Sequence, residues 1–175
     1  MSIEQLKNAL PDYAKDIRLN LTTIMNEQGS PDLNQKQIFS IALGVAYALK
    51  NHFLADAILS DANGILSEMD IQACKASATI MAMNNIYYRF THLVSDKSFS
   101  AMPAKLRMNV IGNPGIHKID FELICLAVST ISGCGLCMDA HTKELIKSAI
   151  TPLGIQSVIR IASVLNAVST GLEIA

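Results

Sequence analysis

Tryptophan is absent, aromatics make up only 5% of the 175 residues, and charged residues 17%, with a formal net charge of -1. So even a charge balance, with no basic cluster carrying interleaved aromatics, argues against a nucleic-acid partner. Alternating β-branched runs bounded by hairpin turns are scarce, which leaves little from which to build a sheet. Long uncharged apolar runs are missing too. Arg160 interrupts the richest C-terminal segment and Lys75 the richest central one, so no membrane span is expected. The opening Met1-Ser2-Ile3-Glu4-Gln5-Leu6-Lys7 is too polar for an export signal. Four cysteines in such a chain then read as reduced thiols in the cytoplasm, because a core of this size needs no disulfide staples.

What the chain does have is apolar content: 50% hydrophobic residues and a mean hydropathy of +0.31, enough to expect that some apolar surface meets another subunit. Helical periodicity runs from end to end, and the expected fold is all-α, a single compact domain over residues 1–175. Long helices are expected from Pro11 to about Asn26 after a short lead-in from Ser2, from Gln35 to Lys50, and from Ser67 to about Val94, with a shorter one around Leu54 to Leu59. Leu106 to Gly115 reads as a linker ending in the turn signature Asn113-Pro114-Gly115. It separates an N-terminal helical half, about 1–100, from a C-terminal half, about 116–175. The second half is expected to hold helices at Asp120–Ser132, Gly135 to about Ile150, and Ile155–Leu172, with Thr151-Pro152-Leu153-Gly154 breaking the last pair. Each half places a long Ala-rich helix after a shorter one, the weak pattern of a duplicated unit.

The densest chemistry is Cys134-Gly135-Leu136-Cys137-Met138-Asp139-Ala140-His141. If Cys134 begins a helix, Cys137 and His141 fall at i+3 and i+7 on one stripe, where two thiols and a base can meet. Unpaired N–H groups at a helix start favour thiolate over thiol, so the segment reads as a dithiol/disulfide redox centre, with Ser132 and Gly133 as candidate caps. By helix geometry alone Cys134, nearer the helix start, is the favoured nucleophile. A neutral imidazole at His141 can take and return a thiol proton. Glu122, embedded in Phe121-Glu122-Leu123-Ile124-Cys125, needs a buried partner: either a basic residue in an ordinary ion pair, or His141, directly or through water.

Other residues carry less. Cys74 and Cys125 sit in apolar helical surroundings without a neighbouring base and read as packing residues, as do the methionines, Tyr87 and Tyr88. Asn84 and Asn85 must find hydrogen bonds inside an apolar helix and read as structural. Two non-redox alternatives stand beside the redox reading. One is a metal-binding module using Cys134, Cys137, His141 and Glu122. The other is an oligomeric scaffold built on the apolar helix from Ile155.

The pattern of Glu122, eleven residues, Cys134-x-x-Cys137, three residues and His141 resembles the signature of the alkylhydroperoxidase D (AhpD) family. The likeness extends to Pro11-Asp12-Tyr13-Ala14-Lys15-Asp16-Ile17, to Met83-Asn84-Asn85 with Tyr88-Arg89, and to Leu106 through Gly115. The resemblance implies an all-helical fold related to carboxymuconolactone decarboxylase-like proteins, usually a homotrimer. It also implies a cytoplasmic antioxidant that reduces a peroxiredoxin (AhpC-like) partner and organic hydroperoxides. No cofactor is implied to be tightly bound and no metal; electrons come from dihydrolipoyl groups on an acyltransferase. Cys137 would be the attacking thiolate, the sulfenic-acid intermediate and the site of the mixed disulfide. Cys134 would donate a proton and close the disulfide, and His141 and Glu122 would relay protons. Some family members carry histidine where this chain has Leu136.

Overall fold

The computed structural model describes residues 1–175 as ten α-helices without strands. In chain order they are α1 (Ile3–Ala9), α2 (Lys15–Ile24), α3 (Gln35–Ala48), α4 (His52–Asp61), α5 (Glu68–Leu93), α6 (Ser98–Ala101), α7 (Asn109–Gly112), α8 (Lys118–Ser132), α9 (Gly135–Lys147) and α10 (Pro152–Glu173). Several start where side chains satisfy orphan amides: Ser2, Asn34 and Ser67 form capping boxes with Gln5, Gln37 and Asp70. Asn51 and Thr151 cap α4 and α10.

The core is a crossing of α3, α5, α8 and α10. Helix α8 is buried on all sides through its middle, with every residue from Phe121 to Ser129 inside. Its closest neighbour is α3 at Gly44, where a Cβ would lie 2.3 Å from the Ile124 Cγ2 atom. Ile124 is fully buried and its branched side chain has little rotamer freedom, so glycine sets how closely α3 and α8 approach.

The all-α expectation holds, and four local expectations change. The helix expected from Pro11 starts as a 3-10 turn at Asp12–Ala14 before α2, and Leu19 on α2 is 60% exposed. The lead-in from Ser2 is a capped helix in its own right. The linker at 106–115 contains the one-turn helix α7. The segment Thr151-Pro152-Leu153-Gly154 marks the boundary between α9 and α10 as the start of α10: Thr151 is its N-cap and Pro152 occupies the first helical turn, where its missing N–H costs nothing. Helix α10 is also, Arg160 notwithstanding, long and apolar enough by length and composition to cross a membrane, with 44% of its most apolar window buried. That buried stripe, which includes Val158, Ile161, Leu165 and Val168, belongs to the face that packs on α2, α3 and α8.

Candidate active site

The corner between α8 and α9 is built by backbone chemistry before any reactive side chain enters. Gly133 takes the left-handed conformation, φ 66°, at the end of α8. Its N–H donates to the Thr130 carbonyl at 3.1 Å and the Cys134 N–H to the Ser129 carbonyl at 3.2 Å, the paired bonds of a Schellman turn. Arg89 of α5 secures the same corner, its Nη1 donating to the Ser132 carbonyl at 2.6 Å. The cap of α9 is therefore Cys134 itself rather than Ser132 or Gly133: its Sγ accepts from the Cys137 N–H at 3.4 Å. Gly133 instead closes the preceding helix.

Cys134 and Cys137 are joined as a disulfide across a Cα–Cα distance of 5.3 Å. The two sulfurs are not equivalent to an incoming molecule. Cys134 is completely buried, whereas Cys137 is 7% exposed and lines a cavity of about 420 Å³. Glu122 meets His141 directly, with 2.6 Å between Oε2 and Nδ1, both side chains being almost fully buried. The other ring nitrogen, Nε2, lies 3.4 Å from the Met81 sulfur, a contact satisfied when Nε2 carries the hydrogen. In this oxidised state His141 thus hydrogen-bonds Glu122 and Met81 rather than either cysteine sulfur. His141 Nδ1 is engaged by Glu122, and no group of three His, Cys, Asp or Glu side chains is arranged to hold a metal ion.

The cavity has a reactive floor and an apolar wall. Its buried lining comprises Met81, Asn84, Glu122, Cys137 and His141; Tyr88, Met108, Ile111 and Glu144 are half-buried around it, and Leu136, Ala140 and Lys118 stand exposed at the rim. The sequence reading brings Cys137 and His141 together, leaves Glu122 to either His141 or an ordinary ion pair, and sets Met81, Tyr88 and Asn84 aside as packing or structural residues. A signal was available: Met81, Asn84 and Tyr88 are spaced i, i+3, i+7, one stripe of α5 with a lone amide in it. Met108 and Ile111 carried no such signal, since they come from the short helix and coil that link the halves.

Cys74 and Cys125, by contrast, are fully buried away from the cavity. The Cys74 sulfur donates to the Ser40 carbonyl at 3.3 Å and burial pushes its thiol up to about 12. Cys125 shares a 3.3 Å contact with the Ser77 hydroxyl, and burial raises its thiol further still.

An all-helical protein whose Cys-x-x-Cys disulfide starts a helix, against a buried carboxylate–imidazole pair and an open cavity, falls in the class of helical thiol–disulfide proteins. Relatives narrow the class. The carboxymuconolactone decarboxylase family matches residues 98–173, from α6 through α10. The chain is 56% identical over 164 residues to alkyl hydroperoxide reductase AhpD of Coxiella burnetii (strain RSA 493 / Nine Mile phase I), covering 94% of this chain and 93% of that protein. It is 52% identical over 167 residues to the AhpD of Hyphomonas neptunium, covering 95% of this chain and 91% of that protein. With the AhpD of Brucella abortus the identity is 46% over 175 residues, covering 100% of this chain and 98% of that protein. The chain belongs to the AhpD family, within the carboxymuconolactone decarboxylase-like superfamily.

Proposed function

We propose that this chain is an antioxidant thiol–disulfide oxidoreductase with alkyl hydroperoxide reductase activity. In this reading it also regenerates the active-site cysteines of a peroxiredoxin of the AhpC type, drawing electrons from dihydrolipoyl groups on an acyltransferase, as a cytoplasmic homotrimer. The single observation that carries the reading is the asymmetry of the disulfide: one sulfur faces a cavity and the other is sealed behind it. Helix geometry alone favoured Cys134 as nucleophile. Accessibility favours Cys137, because attack on a peroxide or a partner disulfide requires approach along the line of the breaking bond. The relatives, named alkyl hydroperoxide reductases, support the peroxide-reducing activity itself.

In the reduced protein the Cys137 thiolate attacks the outer peroxide oxygen, the O–O bond breaks, and the leaving alkoxide is protonated to an alcohol by the Cys134 thiol. Cys137 is then a sulfenic acid. The Cys134 thiolate attacks that sulfur, the S–O bond breaks, and hydroxide leaves as water with a proton delivered by the His141–Glu122 pair. Two electrons have passed from the dithiol to the peroxide. A dihydrolipoyl dithiol restores the pair by exchange and becomes a cyclic disulfide. With a peroxiredoxin disulfide in place of the peroxide, the same attack by Cys137 gives a mixed disulfide that Cys134 resolves. The exposed apolar side chains Ile86, Phe90 and Leu93 on α5 support self-association.

The test is titration of the reduced protein with a peroxiredoxin disulfide and with lipoamide, counting thiols lost and trapping the partner with a Cys134→Ser variant. Loss of two thiols per chain, with the partner captured on Cys137, is the expected result. Accessible thiols that exchange slowly or not at all would overturn the disulfide-transfer role.

A further inference from the structure

We propose that Asn84 orients the head group of the hydroperoxide in the cavity beside Cys137. The inference rests on the hydroperoxide-reducing function proposed above. Asn84 is 4% exposed, lies on α5 and lines the cavity together with Cys137 and His141. Its side chain makes no hydrogen bond, and its Oδ1 is buried without a partner. Buried amides are nearly always paired, and an apolar side chain of the same size would avoid the cost of leaving one unpaired, so the fold by itself gives no reason for an amide here.

The neighbouring amide shows what a structural asparagine looks like in the same helix. Asn85 Oδ1 accepts from the Ser129 hydroxyl at 3.0 Å, tying α5 to α8; its Nδ2 is itself buried without a partner, but Asn85 does not line the cavity, so its role is the tie between helices. The remaining polar groups on the floor are committed elsewhere, since Glu122 and His141 are bonded to each other. Asn84 is the uncommitted one.

A carboxamide suits a hydroperoxide because its Nδ2 group, the part of this amide that protein atoms do not seal off, offers two N–H donors. One donates to the outer oxygen of ROOH, which fixes it for attack by the Cys137 thiolate. As the O–O bond breaks, an N–H of the same amide can donate to the oxygen that becomes the alkoxide, until a proton converts it to the alcohol. The electrons come from the cysteine pair, and Asn84 gains and loses nothing. The organic part then lies against Met81, Tyr88, Met108, Ile111 and Leu136, a wall that rewards apolar groups and offers hydrogen peroxide no contact.

The experiment measures kcat and KM for cumene hydroperoxide and hydrogen peroxide, with dihydrolipoamide as reductant, in the wild-type chain, Asn84→Leu and Asn84→Ala. Iodoacetamide alkylation of Cys137 is followed against pH, and Tm is recorded for each protein. Both variants should lose roughly 10-fold or more in kcat/KM for cumene hydroperoxide while the alkylation profile stays where it was. The Tm of Asn84→Leu should not fall. Wild type should favour cumene hydroperoxide over hydrogen peroxide. Unchanged kcat/KM in the variants overturns the proposal, as does a lowered Tm with full activity, which would make Asn84 a structural amide. A loss of activity accompanied by a shifted alkylation profile also overturns it, because Asn84 would then act on the thiol and not on the substrate. Should Asn84→Leu fail to fold, Asn84→Ala is read by the same criteria. Failure of the underlying function is visible separately, as a wild-type protein that reduces neither peroxide.

Discussion

Cys74 and Cys125 sit inside α5 and α8, whereas Cys134 and Cys137 sit at the start of α9, joined as a disulfide with Cys137 facing the cavity. Mid-helix, every nearby amide is already bonded to a carbonyl, and burial pushes the Cys74 thiol up to about 12. At a helix start the amides are free, the Cys137 N–H points at the Cys134 sulfur, and a cavity reaches Cys137. Cysteine reactivity in this protein is thus decided by where a helix begins, with the residue type held constant.

The sharpest test of that contrast is chemical. In the native, reduced protein at pH 8, a thiol raised to about 12 is thiolate in about one molecule in 10⁴. Iodoacetamide is therefore expected to modify Cys137 on the order of 10³-fold or more faster than Cys74, read by peptide mass spectrometry; comparable rates would collapse the distinction. Next in size, Cys137→Ser should lower hydroperoxide turnover by roughly 10³-fold or more. Removing the base is expected to cost less, so His141→Gln should reduce turnover by roughly 10²-fold and flatten the pH dependence of thiol alkylation.

Two smaller tests concern the buried pair. Burial would raise the Asp70 carboxyl, but hydrogen bonds from Lys36 and Ser67 more than reverse this and hold it below the usual carboxylate range. A carboxyl depressed in the folded state stabilises the fold above about pH 4 and loses that contribution as pH falls through the folded value. Asp70→Asn should cost about 1–2 kcal/mol at pH 7 and make Tm less sensitive to pH below about 4, measured by thermal unfolding in a pH series. Because the Asp70 charge also helps to raise Cys74, the same variant should slightly increase Cys74 alkylation. The smallest effect is expected from Cys125→Ala: ~1 kcal/mol of stability by urea unfolding, with hydroperoxide turnover unchanged.

Most helices were legible because apolar periodicity and capping residues agree: Gln35–Ala48 and Glu68–Leu93 end within two residues of where the pattern places them. Thr151-Pro152 was legible as a boundary but not as the start of α10, because proline both ends helices and opens them, and only the chain's path distinguishes the two. Glu122 facing His141 could be read as one of two options, since a carboxylate in an apolar run needs a partner but sequence does not say which. The cavity wall was not legible as a whole. It draws on α5, α7 and its approach, α8 and α9, and a surface shared by separate elements leaves no spacing within any one of them.

Met108 and Ile111, two of the residues nearest to any organic part of a substrate, belong to the connection between α6 and α8, while the cysteines, His141 and Glu122 stand on α8 and α9, wedged into the core. In the proposed mechanism, the parts that perform the reaction and these two that contact the organic group therefore stand on different elements. A change in α8 must answer to the packing of Gly44 and Ile124 inside the core, whereas Ile111 packs only against the edge of that core and Met108 lies outside it. Selectivity in this architecture can drift, or be engineered, while the chemistry stays fixed.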